Sequence, residues 1–125
     1  TEIYTLSLHD ALPIYEEYHV QVGNNDYYVD LLFYHRELQC LVAIDLKIDD
    51  FKPEYMGKMD FYLEALDRDI KKPHENPSVG MILCKNADTD VVEYSLSRSL
   101  SQTMIAEYKT KLIDKSILQR KLAEF

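Results

Sequence analysis

Residues 41–47 read LVAIDLK, a run of strand-forming residues that ends in a carboxylate and an amine. Side chains alternate between the two faces of a strand, so the apolar even-numbered residues from Val42 to Ile48 should share one face and pack against a core. The odd-numbered residues place Asp45 and Lys47 on the other face, about 7 Å apart along the strand. The fold and function are predicted from this charged pair outward.

A hairpin precedes this run and carries a second carboxylate. Residues 18–22 and 27–34 alternate in polarity, and we place the turn at residues 24–25 because asparagine tolerates a positive φ. This turn sets His19 opposite Asp30, where it could contact that carboxylate. The apolar odd-numbered residues of the second strand should share one face, with Asp30 on the other.

The connection between the second and third strands decides how the carboxylates meet. A two-residue loop at residues 36–37 sets Asp30 opposite Ala43 and diagonal to Asp45, whereas a shift of two residues sets Asp30 directly opposite Asp45. Both alternatives bring Asp30, Asp45 and Lys47 to one face. A slip of one residue would bury Asp30 on the apolar face, which the cost of desolvating a charge excludes.

The remaining elements complete an α/β pattern. Apolar residues recur every three or four positions over residues 53–70, which predicts the longest helix. The other expected elements are a buried strand over 79–84, a short helix over 91–96 capped from 88–90, a strand or helix over 104–108 and a terminal helix over 114–125. The order β-β-β-α-β-α-β-α predicts a mixed sheet flanked by helices.

The composition is that of one globular domain. The chain has 125 residues, is 46% hydrophobic and carries a net charge of −8, so it can build a core but should not attract nucleic acid or anionic lipid as a whole. Residues 109–121 are the best candidate for a local basic patch. No apolar run reaches the roughly 20 residues of a membrane span. Cys40 and Cys84 lie in apolar stretches, which favours buried free thiols and the reducing cytoplasm over a disulfide or metal pair.

Two carboxylates and a lysine that meet at a sheet edge can hold a divalent cation. Mg²⁺ takes oxygen ligands and keeps several of its waters. Such an ion polarises a phosphoryl oxygen and lowers the pKa of a bound water, which a nearby amine can orient. The set therefore suits hydrolysis of a phosphodiester. A surface ion pair of little energetic weight is the alternative explanation.

The order Asp30, then Asp45-Leu46-Lys47 on the next strand, resembles the core motif of the PD-(D/E)xK nuclease superfamily, a restriction-endonuclease-like fold. The superfamily core, α-β-β-β-α-β, matches the predicted order with its first helix missing or replaced. The chain is more closely similar to the C-terminal nuclease domain of the bacterial YhcG-type family. The likeness is carried by YVDLLFYH (28–35), LVAIDLK (41–47), FKPEY (51–55), MDFY (59–62), ENP (75–77) and VEY (92–94).

The resemblance implies a nuclease dependent on Mg²⁺ or Mn²⁺ that acts on DNA in the cytoplasm. Asp30 and Asp45 would bind the metal, and Lys47 would act on the attacking water. Lys58 and Tyr62 correspond to a Gln-x-x-x-Tyr element, and their spacing of four puts both on the helix face toward the site. Family members usually carry an upstream domain, which would be a partner of this one, and no membrane segment is implied.

The chain also departs from the family pattern. Asp45 and Lys58 replace the usual glutamate and glutamine, and the acidic residue of the family's first helix has only Glu16 or Glu17 as candidates. These departures leave an alternative, a catalytically impaired module that binds nucleic acid or a protein partner.

The first residues set the expected domain boundary. Residues 1–14 read TEIYTLSLHDALPI, which resembles a translated sequencing adapter. We therefore expect a truncated chain with a foreign segment over residues 1–14 and the nuclease-like domain over residues 15–125. A native extension is the alternative.

Overall fold

The computed structural model describes residues 11–107, with side chains from residue 15 onward. Its elements are β1 (Ala11–Val22), β2 (Asn25–His35), β3 (Cys40–Leu46), α1 (Glu54–Asp69), β4 (Val79–Cys84), α2 (Thr89–Leu96) and β5 (Thr103–Glu107). The predicted terminal helix over 114–125 and the basic stretch over 109–121 lie outside the described residues. The predicted boundary between residues 14 and 15 stays a prediction.

The five strands form one mixed sheet in the order β1-β2-β3-β4-β5. Strands β1, β2 and β3 pair antiparallel, whereas β3, β4 and β5 pair parallel. A helix crosses over between each pair of parallel strands, as the right-handed crossover of α/β folds requires. The predicted α/β class with a mixed sheet is confirmed, and the strand that carries Asp45 lies at the centre of the sheet.

Alternation along β3 divides the core into two clusters. Leu41 and Ala43 pack on the α1 side, whereas Val42, Ile44 and Leu46 pack on the opposite face. This division follows the predicted alternation. The prediction for Ile48 was wrong: its side chain is 62% exposed, because β3 ends at Leu46 and the chain then leaves the sheet.

Helix α1 covers the sheet on the side of Asp45. Its buried residues recur at helical spacing and form one apolar face: Met56, Met59, Tyr62, Leu63, Ala65 and Leu66. Pro53 precedes the first turn with a φ of −55°, a dihedral that suits the start of a helix. The helix lies very close to β4, since a Cβ placed on Gly80 would stand 2.7 Å from both Cγ and Sδ of Met59. The helix predicted over 53–70 is confirmed.

The β1–β2 turn differs from its prediction by one residue. The loop consists of residues 23–24 and not 24–25, and β2 begins at Asn25. Gly23 has a φ of 61° at the first loop position, where a two-residue turn of type II′ favours glycine. The changed register pairs His19 with Tyr28, so the predicted pairing of His19 with Asp30 was wrong.

The faces of β2 exchange partway along the strand. Val29 packs on the α1 side and Leu31 on the opposite side, so the predicted common face for these odd-numbered residues was wrong. The ladder passes from the pair Glu16–Leu31 to the pair Tyr18–Val29. Glu17, the β1 residue opposite Asp30, has a φ of 47°, so β1 also departs from an extended backbone at this point.

Strands β2 and β3 pair in the second of the two predicted registers. Their paired residues run from Leu31–Ile44 to His35–Cys40. The connection is therefore a loop of residues 36–39 rather than a two-residue turn at residues 36–37, and its last residue has a positive φ of 52°.

The remaining elements agree with their predictions. The Asp88 side chain accepts hydrogen bonds from two backbone N–H groups in the first turn of α2, and the stretch near residue 104 forms strand β5. Cys40 and Cys84 are buried free thiols. Within residues 11–107, no helix has both the length and the apolar character that crossing a membrane demands.

Candidate active site

Asp30 and Asp45 are brought together by the β2–β3 ladder. The ladder pairs Leu31 with Ile44, so one step further along the strands Asp30 stands across from Asp45. The Oδ2 atom of Asp30 accepts a hydrogen bond of 2.8 Å from the backbone N–H of Leu46. This bond fixes the Asp30 carboxylate beside the end of β3, next to the residue that carries the second carboxylate.

The carboxylate of Asp45 is buried and under-satisfied. The residue is only 2% exposed, and its Oδ2 atom accepts no hydrogen bond within the described part of the chain. Its nearest cation is the Lys47 ammonium, whose Nζ lies 3.5 Å away, beyond the usual hydrogen-bond length. The sequence-based expectation of an exposed edge was wrong, because β3 is the central strand and α1 covers it.

Lys47 is held on two sides. Its side chain is 19% exposed, and its Nζ lies 4.6 Å from the centroid of the Tyr55 ring. An ammonium over an aromatic face at this distance is attracted by the negative face of the ring. Lys47 thus stands between the buried carboxylate of Asp45 and the ring of Tyr55.

Tyr55 is itself tied to Asp49. Its hydroxyl donates to the Asp49 carboxylate, with distances of 2.7 Å and 2.6 Å to the two oxygens. This hydrogen bond lowers the pKa of Asp49 and raises the pKa of Tyr55 above its ordinary value, so the phenol stays protonated and the carboxylate stays charged. Sequence reasoning assigned no role to either residue. The FKPEY segment at 51–55 was quoted for the resemblance, but nothing in its spacing indicated a contact with Lys47.

Tyr62 lies above both carboxylates. Burial first, and then the negative charges of Asp45 and Asp30, raise the pKa of Tyr62 to about 12, against the opposing effect of Lys47. The phenol is therefore a neutral hydroxyl at physiological pH. Lys58 is exposed on the same helix, with its Nζ 5.6 Å from the centroid of the Tyr62 ring. The structure places both predicted supporting residues along the side of the site formed by α1.

His19, which was predicted to face Asp30, does not join this group. Its Nε2 atom lies 2.7 Å from Oδ1 of Asp26, on the exposed hairpin. Glu16 and Glu17 are exposed on β1, and the ladder sets Glu17 across from Asp30. Among residues 11–107, no group of three or more His, Cys, Asp and Glu side chains could hold a metal ion. Asp30 and Asp45 are the two predicted metal ligands, and the strand register brings them together.

A second acidic region lies at the opposite end of the parallel strands. A groove of about 560 Å³ is lined there by residues of α1 and of the segments that lead into β4 and β5. Asp67 accepts hydrogen bonds from the N–H and the hydroxyl of Ser78, at 2.9 Å and 2.6 Å, and Asp60 accepts one from the Ser101 hydroxyl. We call this region the acidic groove.

Comparison with protein families gives a match over most of the chain. Residues 11–123 match the model of the YhcG PDDEXK nuclease domain. A protein of Escherichia coli (strain K12) named "Putative nuclease YhcG" is 34% identical over 103 residues, which cover 82% of this chain and 28% of that protein. The chain therefore spans little more than a quarter of that relative.

Two solved structures share the fold. A repair endonuclease from Pyrococcus abyssi superposes with a TM-score of 0.54 at 14% identity, over 86% of this chain and 49% of that chain. EndoMS, solved in a complex with double-stranded DNA, superposes with a TM-score of 0.52 at 13% identity, over 77% of this chain and 36% of that chain. At these identities the likeness concerns the fold alone.

Proposed function

The chain belongs to the YhcG PDDEXK nuclease domain family, and from this premise we propose that it hydrolyses phosphodiester bonds of DNA with a divalent metal ion held by Asp30 and Asp45. The observation that carries the proposal is the Oδ2 atom of Asp45, buried without a hydrogen bond in the described part of the chain and 3.5 Å from the Lys47 ammonium. A buried hydrogen-bond acceptor without a donor lowers the stability of the fold unless a ligand supplies the missing interaction.

The donor set fits a hard cation such as Mg²⁺ or Mn²⁺. Both candidate ligands are carboxylates, and Mg²⁺ is commonly held by one or two carboxylates together with waters and substrate phosphates. When bound, such an ion polarises a phosphoryl oxygen and lowers the pKa of its water. Two protein ligands are enough for this arrangement, and the absence of a third within residues 11–107 is compatible with it.

The chain's own groups supply orientation and charge. The Lys47 ammonium donates hydrogen bonds, and beside Asp45 it can orient the attacking water and stabilise the negative charge that develops on the phosphoryl oxygens. The hydrogen bond from the Leu46 N–H orients the Asp30 carboxylate. Tyr62 keeps its proton and, with α1, limits the access of bulk water to this end of β3.

DNA is proposed as the substrate on the basis of fold analogy and surface chemistry. One structural neighbour was solved with double-stranded DNA, and another is a repair endonuclease. Lys47 and Lys58 provide positive charge at a site on a chain with a net charge of −8. A metal ion would add to this local charge, which a phosphate backbone requires.

The test is a cleavage assay on the full chain. Double-stranded DNA, single-stranded DNA and RNA of one sequence are incubated with Mg²⁺, with Mn²⁺ or with EDTA, and the variants are Asp30→Asn and the control Asp69→Asn. We expect cleavage of DNA that needs the metal, is lost in Asp30→Asn and is retained in Asp69→Asn, whose exposed side chain lies at the far end of α1. Absence of cleavage of every substrate with either metal would contradict the proposal.

A second candidate function follows from two observations. Within residues 11–107, no group of three or more His, Cys, Asp and Glu side chains could hold a metal ion, and Lys58 stands where the family resemblance expects glutamine. Both fit a catalytically impaired module that binds nucleic acid or a protein partner. Binding of DNA that weakens with salt, without cleavage under any metal condition, would support this candidate over the first.

A further inference from the structure

The neighbours of Lys47 determine where its ammonium lies. A lysine side chain is long and flexible, and it is a strongly hydrated point charge. Asp45 lies within the site, 3.5 Å from the Lys47 ammonium. A second carboxylate, Asp49 in the loop that follows β3, bonds to Tyr55, whose ring contacts that ammonium. If the ammonium turned to Asp49, it would leave the site. The structure shows it beside Asp45.

Asp49, in the loop after β3, already has other partners for its carboxylate and its carbonyl. Both oxygens of its carboxylate accept from the Tyr55 hydroxyl, and Oδ2 also pairs with the Lys52 ammonium at 3.2 Å. The carbonyl of Asp49 accepts a hydrogen bond of 2.9 Å from the N–H of Lys85, just past β4. Asp49 is thus anchored to the sheet and already paired, so it does not compete for Lys47.

The same hydrogen bonds hold the Tyr55 ring in place. Tyr55 lies in the first turn of α1, its hydroxyl is fixed by Asp49, and its ring contacts Phe51 edge to face with centroids 6.3 Å apart. These contacts fix the Tyr55 ring, so that one of its faces keeps a constant position. That face is 4.6 Å from the Lys47 Nζ.

We propose that Tyr55, fixed by Asp49, is a positioning residue that holds the Lys47 ammonium beside Asp45. The ring attracts the ammonium, 4.6 Å from its centroid, while Oδ2 of Asp45 lies 3.5 Å from the same Nζ atom. This second attraction keeps Lys47 in the site and keeps it from closing onto Asp45 as a short ion pair. Its catalytic consequence rests on the proposed nuclease function; the placement of the ammonium does not.

A spectroscopic experiment tests the placement without any assay of activity. In the full chain labelled with ¹³C-lysine, the ring current of Tyr55 should shift the Lys47 ε-methylene proton signals upfield of the other lysines. We expect the shift to vanish in Tyr55→Leu and to shrink without vanishing in Tyr55→Phe, which keeps the ring but lacks the hydroxyl that Asp49 holds. The exposed Tyr94→Leu is the matched control and should leave it unchanged. A Lys47 signal that is the same in wild type and Tyr55→Leu overturns the proposal.

Kinetics then test the consequence. We expect Tyr55→Leu to lower kcat about tenfold to a hundredfold, the effect of a misplaced catalytic group, with KM within about twofold of wild type. Tyr55→Phe should restore most of that loss. Equal losses in Tyr55→Phe and Tyr55→Leu overturn positioning by the ring. If the wild type cleaves nothing, the proposed function fails, and the Lys47 signal still decides the placement.

A second variant covers the case in which Tyr55→Leu does not fold. Asp49→Ala removes the acceptor of the Tyr55 hydroxyl and leaves the ring residue in the chain. We expect the upfield shift of Lys47 to shrink and kcat to fall about threefold to tenfold, a smaller misplacement than loss of the ring. An unchanged Lys47 signal and unchanged kcat in a folded Asp49→Ala would contradict the role of Asp49.

Discussion

Two acidic regions lie at opposite ends of the parallel strands, and their carboxylates differ in burial and in hydrogen bonding. In the acidic groove, Asp67 accepts two hydrogen bonds from Ser78 and is only partly buried. In the active site, Asp45 is fully buried, yet its Oδ2 accepts no hydrogen bond within the described residues. A carboxylate with all its donors in place stabilises a fold, whereas a buried one without them costs stability. We propose that this contrast separates a carboxylate that stabilises the fold from one that binds a ligand.

The largest effect is expected at Asp45. Asp45→Asn keeps the shape of the side chain and removes its charge, so cleavage should fall by about 10²- to 10³-fold, because a bound metal contributes several kcal/mol to the transition state. Stability should not fall, since a buried charge is also removed. Cleavage rates and urea unfolding measure the two effects. A variant that is unfolded, or one as active as wild type, would break the contrast.

The opposite pattern is expected at Asp67. Asp67→Ala leaves the N–H of the buried Ser78 without its acceptor and leaves the Ser78 hydroxyl only its 3.4 Å contact with the Leu63 carbonyl. The free energy of unfolding should therefore fall by about 1–3 kcal/mol. Cleavage at saturating substrate should stay within about twofold of wild type, since the groove lies at the far end of the strands. Urea denaturation and the same cleavage assay give both numbers. A large loss of activity with unchanged stability would show that the groove takes part in the chemistry.

Metal ions should distinguish the two regions next. At an Mg²⁺ concentration ten times the dissociation constant, a specific site stabilises the native state by about 1.4 kcal/mol. This stabilisation should disappear in Asp45→Asn and persist in Asp67→Ala. Urea unfolding with and without the ion measures it, and Na⁺ at matched ionic strength is the control. Equal stabilisation of both variants would place the cation elsewhere on the chain.

The two buried thiols lie at opposite ends of the parallel strands, so the pKa of each responds to the charges at one end. Burial, followed by the charge of Asp67, raises the pKa of Cys40 to about 11, and burial, followed by the charge of Asp49, raises that of Cys84 to about 11. Thiols in the unfolded chain titrate near 8.5.

The unfolded state therefore loses protons first, and stability should fall as pH rises from about 8.5 toward 11, by about 1 kcal/mol per thiol between pH 8 and 9.5. Urea unfolding in the presence of a reductant measures this slope, and Cys40→Ala and Cys84→Ala should each make it shallower. Mg²⁺ should reduce only the contribution of Cys84, because a nearby cation favours the thiolate. A slope that neither variant changes would contradict these pKa shifts.

Local patterns were sufficient to predict most of the elements. The apolar alternation at the centre of the sheet and the helical spacing over 53–70 depend on neighbours in sequence, and both were predicted within a residue or two. The approach of Asp30 to Asp45 also followed from pattern, because burial of a charge on the apolar face is prohibitive. The choice between the two permitted registers required the length of the loop over 36–39, which polarity alone does not determine.

The features that were missed depend on contacts distant in sequence or on a single dihedral. The exchange of faces between Val29 and Leu31 lies opposite Glu17, a residue of positive φ on another strand, and the polarity of β2 alone did not indicate it. The burial of Asp45 follows from the packing of α1 over the central strand. The contact of Tyr55 with Lys47 joins the start of a helix to the end of a strand. Sequence periodicity does not predict a contact of this kind.

Helix α1 packs closely on β4 because residue 80 is a glycine and has no Cβ atom. Any side chain at position 80 would collide with Met59, at 2.7 Å, and Tyr62 lies one turn further along the same helix. A larger residue at position 80 would need Met59 to change its side-chain conformation or α1 to move away from β4. Substitution of Gly80 therefore tests how far the packing of α1 on β4 sets the surroundings of Asp45 while every charged residue stays the same.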